Sequence, residues 1–230
     1  MAYLEEWPVC AGNCRVIKLN LPDSPEPFHI LCLGAHSDDI EIGCGGTLLY
    51  FRQLFPKLKL HWVVFHAPGA RGQEAAKAAE LFTANSEKDV TLKEFRDGFL
   101  PYHGAEVKNC FEELKNKVRP DLIFTHWQGD AHQDHRLLGE LTWNTFRNHM
   151  ILEYEVPKYD GDLGRPNVFV PLENHLYEKK IHYLFEAFAS QRSKRWFDRE
   201  TFLGLMRIRG MECNSSSGYA EAFHCRKLVL

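Results

Sequence analysis

The chain has no run of about 18 apolar residues, so no membrane-spanning helix is expected. Met1 to Cys10 carries Glu5 and Glu6 and no apolar core, which argues against a secretory signal. An excess of positive charge is also missing. With 28 Lys and Arg against 31 Asp and Glu, the formal net charge is −3, and no basic face of the kind nucleic acid requires is expected. There is no internal repeat and no low-complexity tract. After the first apolar strand a dinucleotide-binding chain carries a glycine loop; here His36-Ser37-Asp38-Asp39 stands in its place. That substitution disfavours a nucleotide-dependent oxidoreductase or methyltransferase. The seven cysteines are odd in number and scattered, unlike the disulfide framework of a small secreted protein, and read as reduced thiols in a cytoplasmic compartment. Cys10 and Cys14 have a metal-like spacing but no second pair to complete a site.

What is present fits an ordinary globular protein: 230 residues, 44% apolar and 26% charged. One domain over 1–230 is expected, with 1–27 an irregular extension that includes a short edge strand over Cys14 to Leu19, and 150–230 completing the domain. Short apolar runs at Phe28 to Leu33, Leu58 to Phe65 and Leu122 to Thr125 read as buried strands, with a weaker one at Asp89 to Leu92. Between them lie helical segments: Leu48 to Phe55 after a glycine-rich turn Gly43 to Gly46, Ala70 to Ala84, and Ala105 to Val118. Farther on, Leu137 to Phe146, Glu173 to Phe188 and Asp198 to Ile208 read as helices and Ile151 to Val156 and Val168 to Val170 as strands. The alternation predicts an α/β fold, a three-layer Rossmann-like sandwich around a mostly parallel sheet.

Two histidine–aspartate clusters stand out. His36-Ser37-Asp38-Asp39 follows the first strand, and His126 to Arg136, with Asp130, His132, Asp134 and His135, follows the strand that ends at Thr125. In a parallel sheet both lie at carboxyl strand ends, where open α/β folds bind ligands. A catalytic zinc uses three nitrogen or oxygen ligands and keeps a fourth position open. His36, Asp39 and His135 can supply the three. Asp38 is then free to take a proton from water, His132 to stabilise an oxyanion, and Asp134 to orient a histidine. Two imidazoles in the set favour zinc over magnesium.

Ala35 to Thr47, A-H-S-D-D-I-E-I-G-C-G-G-T, resembles one signature of the PIG-L-type deacetylases, and His132 to His135, H-Q-D-H, resembles the other. That superfamily includes N-acetylglucosaminyl-phosphatidylinositol de-N-acetylase and the deacetylases of mycothiol and bacillithiol synthesis. The resemblance implies one zinc per chain and hydrolysis of an N-acetyl group on a sugar or sugar conjugate. It implies His36, Asp39 and His135 as ligands, Asp38 as general base, His132 as the electrophilic histidine and Asp134 as its neighbouring carboxylate. Arg71 and Asp97 fall where family members hold the sugar. Ser37 stands where most members have proline or alanine, and Glu41 is expected to brace the turn. The basic stretch Arg192 to Arg199 reads as a solvated flank. A zinc amidohydrolase acting on a non-sugar amine, or a non-catalytic module retaining the fold, are the alternatives. The oligomeric state, homo-oligomer or not, is left open.

Overall fold

The computed structural model describes Leu21 and residues 26–229. The expectations for Cys10, Cys14 and a strand over Cys14 to Leu19 lie outside the described residues. Among the described residues, seven strands form one sheet: β1 (Phe28–His36), β2 (Leu58–His66), β3 (Glu87–Leu92), β4 (Leu122–His126), β5 (Met150–Tyr154), β6 (Val168–Pro171) and β7 (Ala220–His224). Among the same residues six α-helices flank it: α1 (Asp39–Leu54), α2 (Gly69–Thr83), α3 (Gly104–Lys117), α4 (Gln133–Thr145), α5 (Asn174–Ala187) and α6 (Arg199–Glu212).

The strand order is β3-β2-β1-β4-β5-β7-β6. The first five strands run parallel, and β7 and β6 join antiparallel. The central strands are apolar on both faces because both faces are covered. Ile30 and Cys32 of β1 join the core under α1, α2, α5 and α6, while Leu31, Leu33 and Ala35 join the core under α3 and α4. From β1 the chain winds outward through β2 and β3, then crosses back to place β4 on the other side of β1. The strand order therefore reverses between β1 and β4, and the two histidine–aspartate clusters sit at the carboxyl ends of those two strands.

Three details depart from expectation. Gly43, Gly45 and Gly46 are not a turn: α1 begins at Asp39 and runs through them. Their lack of a side chain serves close packing. A Cβ on Gly43 would lie 2.2 Å from the Tyr154 ring, and one on Gly46 2.5 Å from Leu172. Helix α4 starts four residues earlier than expected, at Gln133, which puts Asp134 and His135 in its first turn. Strand β7 was not anticipated at all. It lies between β5 and β6 and contributes the buried Glu221. Among the described residues, Cys32, Cys44, Cys110, Cys213 and Cys225 are free thiols, and no helix is long and apolar enough to cross a membrane.

Candidate active site

Strand β1 delivers His36 and the following turn delivers Asp38 and Asp39 as α1 starts. Asp39 folds back on its own strand: its Oδ2 accepts the His36 backbone N–H at 2.6 Å. Helix α4 delivers His135 from the opposite side. The result is a triangle. His36 Nδ1 is 3.1 Å from His135 Nε2 and 3.3 Å from Asp39 Oδ2, and His135 Nε2 is 3.5 Å from Asp39 Oδ2.

Donor and acceptor bookkeeping shows what those three atoms offer. His135 Nδ1 lies 2.9 Å from Asp130 Oδ2, so it carries the proton and donates, and Nε2 presents a lone pair. His36 Nε2 faces Asp97 Oδ1 at 3.2 Å and Asp134 Oδ2 at 3.3 Å, so it donates to the carboxylates and Nδ1 presents a lone pair. With both rings neutral, two imidazole lone pairs and a carboxylate oxygen converge on one point, an arrangement that repels itself unless a cation or a ring proton lies among them. The edges match too: ligands about 2.0–2.1 Å from a tetrahedral ion stand about 3.4 Å apart. The donor set therefore fits a metal ion. The site's histidines and carboxylates also form overlapping groups with His126, His132, Asp97 and Asp134.

His126, at the end of β4, was not singled out from the sequence, although its position at a strand end was the available signal. It is fully buried, and its ring stacks on His135 with centroids 3.9 Å apart. Its Nε2 accepts the Ala35 N–H at 3.0 Å. A backbone amide has no tautomer, so that lone pair is engaged and His126 supports the triangle from behind. Asp130, also unassigned from the sequence, accepts the His132 N–H at 2.8 Å and the His135 ring proton.

The other expected residues surround this centre. Asp38 is buried; Arg71 Nη2 donates to its Oδ1 at 2.7 Å, and its Oδ2 has no partner. Burial raises the Asp38 pKa above the usual carboxylate value, with Arg71 opposing and Asp39 adding to the rise. Arg71 thus meets Asp38 as its principal contact. His132 caps α4, its Nδ1 accepting the Asp134 N–H at 3.2 Å, which leaves Nε2 to carry the ring proton of the neutral form. Burial, and then His36, lower its pKa. Asp134 is held by the backbone N–H groups of Gly98 at 2.8 Å and Leu100 at 3.1 Å. Asp97 has a side chain 66% exposed, so one face of it remains open at the mouth of the site. Ser37 donates to the His66 carbonyl at 3.1 Å, tying the turn to β2. Glu41 does not brace the turn through hydrogen bonds. It is fully buried, neither carboxyl oxygen has a partner, and burial raises its pKa well above the usual carboxylate range.

Residues 31–146, which contain both clusters, match the PIG-L family of GlcNAc-PI de-N-acetylases, and the chain belongs to that family. An Escherichia coli K12 protein described as an uncharacterized deacetylase, YaiS, is 24% identical over 163 residues, spanning 66% of this chain and 86% of its own. Among solved structures, the N,N'-diacetylchitobiose deacetylase of Pyrococcus horikoshii superposes with a TM-score of 0.67 at 21% identity, covering 86% of this chain and 83% of that one. GalB of Pseudomonas putida KT2440, a 4-carboxy-2-hydroxymuconate hydratase, superposes with a TM-score of 0.69 at 17% identity, covering 88% of this chain and 98% of its own. At these identities the superpositions establish the fold, and GalB demonstrates that the fold hosts more than one reaction.

Proposed function

We propose that the protein is a zinc-dependent deacetylase that hydrolyses the N-acetyl group of an N-acetylated sugar or sugar conjugate, releasing acetate and a free amine. The observation that carries this is the convergence of His36 Nδ1, His135 Nε2 and Asp39 Oδ2 beside the buried, half-unpartnered Asp38, in a chain of the PIG-L family. Two imidazoles and one carboxylate are a donor set for zinc, whereas magnesium and calcium take oxygen ligands. When bound, the ion supplies Lewis acidity and lowers the pKa of water to about 7.

The chain's own residues supply the rest. Asp38 Oδ2 takes the proton from the attacking water while Arg71 holds Oδ1. The water oxygen bonds to the amide carbon, and His132, with its proton on Nε2, donates to the carbonyl oxygen as charge builds there. The carbon–nitrogen bond then breaks, and the proton held by Asp38 passes to the departing nitrogen. Asp134, fixed by two backbone amides, keeps His36 oriented. Asp97 at the mouth, and Arg71 beside Asp38, are the residues offered to the sugar. The free thiols among the described residues suit a cytoplasmic setting.

The test is release of acetate and primary amine from a panel of N-acetyl sugars, nucleotide sugars and non-sugar acetamides, with and without a chelator. Chelator-sensitive release from the sugars, and little from the plain acetamides, is the expected result. The similarity to GalB supplies the competing reading, hydration of a carbon–carbon double bond, which frees no amine. Water addition to an unsaturated acid without any amine release from the panel would overturn the deacetylase reading.

A further inference from the structure

Thirteen residues, Glu155 to Asn167, connect β5 to β6, and this segment is fastened at two points. At the first, Arg209 of α6, only 5% exposed, donates Nε and Nη2 to the two oxygens of Glu155 at 2.9 and 2.7 Å. The same Nη2 donates to the Gly164 carbonyl at 3.1 Å, and the Gly164 N–H donates to Glu155 at 3.0 Å. The two ends of the segment are thereby stapled together. Gly164 packs so tightly on Trp127 and His224 that a Cβ there would lie 2.7 and 2.8 Å from their rings.

The second point lies at the metal-site segment itself. Lys158 Nζ is 2.9 Å from Asp130 Oδ2, and its side chain is only 11% exposed. It also pairs with Asp162, which in turn accepts the Ala131 N–H at 2.6 Å. Asp130 is the carboxylate that holds the His135 ring proton. The lysine therefore stands one carboxylate away from the metal triangle, on a segment that the hydrolytic scheme does not use.

We propose that Lys158 is a positioning residue for the cation site: through Asp130 it fixes the ring of His135, so that docking of residues 155–167 and cation binding are coupled. Lys158 and the His135 ring proton share one oxygen, Oδ2, while Oδ1 is taken by the His132 N–H. Without the lysine the carboxylate keeps the His132 N–H and the His135 ring proton but loses its one cationic contact, and Nε2 of His135 is held less firmly toward His36 and Asp39. Partners of metal-bound histidines of this kind typically change affinity by about 10- to 100-fold when removed. Coupling is reciprocal, so a bound cation must in turn hold the segment down.

This rests on His36, Asp39 and His135 holding the cation, and the experiment separates the two claims. Metal-free wild type, Lys158→Met and Lys158→Arg are titrated with cobalt(II), with binding read from the visible absorption of the ion. Lys158→Met should bind about ten-fold more weakly or worse, with an altered spectrum, and Lys158→Arg should restore most of the affinity. Hydrogen exchange on the wild type should show the amides of 158–165 slowed by cobalt. Equal affinity and an unchanged spectrum in Lys158→Met overturn the proposal. If Lys158→Met does not fold, the wild-type exchange decides alone, and amides of 158–165 indifferent to cobalt overturn it. Cobalt that fails to bind the wild type overturns the cation site itself.

Discussion

Two buried clusters of charge adjoin α1, and they are built to opposite rules. At the carboxyl ends of β1 and β4 the charges converge with groups left over: Asp38 Oδ2, both oxygens of Glu41 and His126 Nδ1 have no partner. Between α1, α5 and β7 every charge is answered. Lys180 Nζ lies 2.6 Å from Glu221 Oε1 and donates to the Ile42 carbonyl at 2.6 Å. Glu221 accepts the N–H groups of Gly46 at 2.8 Å and Thr47 at 2.6 Å. Both side chains are 3% exposed. Burying a polar atom without a partner is unfavourable, and folds avoid it unless a ligand fills the gap. The incomplete cluster is thus the one that awaits chemistry. The complete one clamps the first two turns of α1, whose start carries Asp38 and Asp39.

The contrast can be broken from either side. Asp38→Asn keeps the shape of the side chain but removes its capacity to take a proton. Turnover should fall by about 10²- to 10⁴-fold while zinc content stays at the wild-type level, measured by steady-state kinetics and elemental analysis. A variant that keeps its rate would remove Asp38 from the chemistry. On the clamp, Lys180→Met leaves the Glu221 charge buried without its counter-ion, held by two backbone N–H groups alone. Removing one partner of such a pair is expected to reduce stability by about 3–5 kcal/mol in urea denaturation, far more than an exposed pair would. A loss of only a few tenths of that would mean the clamp is not holding α1.

Smaller effects sharpen the same comparison. Gly46→Ala drives a methyl toward Leu172 and Glu221, 2.5 and 3.0 Å from where it would sit, and overpacking of this kind lowers stability by about 1–3 kcal/mol. A neutral Gly46→Ala would show that the clamp yields. The smallest effect concerns pH. His224, stacked on Trp127 at 4.5 Å, has its pKa lowered to about 4 by burial and by Arg209. The unfolded chain binds its proton below about 6.5 while the fold refuses it until about 4, so stability contributed at neutral pH is lost as pH falls through that window. His135, likewise lowered to about 4, titrates over the same window, so His224→Phe should reduce the slope of melting temperature between those pH values without abolishing it, and an unchanged slope would assign the acid sensitivity elsewhere.

The parallel half of the molecule was legible in the sequence because its signals are local. Runs such as Phe28 to Leu33 and Leu58 to Phe65 are continuous and apolar, and the two His–Asp clusters follow strands directly. Of the antiparallel part, β6 was legible as Val168 to Val170, but β7 was not, for physical reasons. Strand β7 carries a buried glutamate in Ala220-Glu221-Ala222, whose partner Lys180 lies 41 residues away. A charged residue in a strand reads as solvent-facing until its counter-ion is known. The glycines of α1 resemble a turn because their reason, the approach of Tyr154, Phe82 and Leu172, is tertiary. At the site, His36, Asp38, Asp39, His132, Asp134 and His135 were read from spacing, and they do gather. Asp130 and Lys158 could not be read, since support for His135 comes from a hydrogen bond and an ion pair, not from a motif.

The most direct test of the central claim is zinc stoichiometry in purified wild type, Asp39→Ala and His135→Ala, determined by elemental analysis after removal of loosely held metal. One zinc per chain is expected in the wild type and none in either variant, with both variants still folded. A full equivalent retained by Asp39→Ala or His135→Ala would contradict the assignment of the converging lone pairs as the cation site.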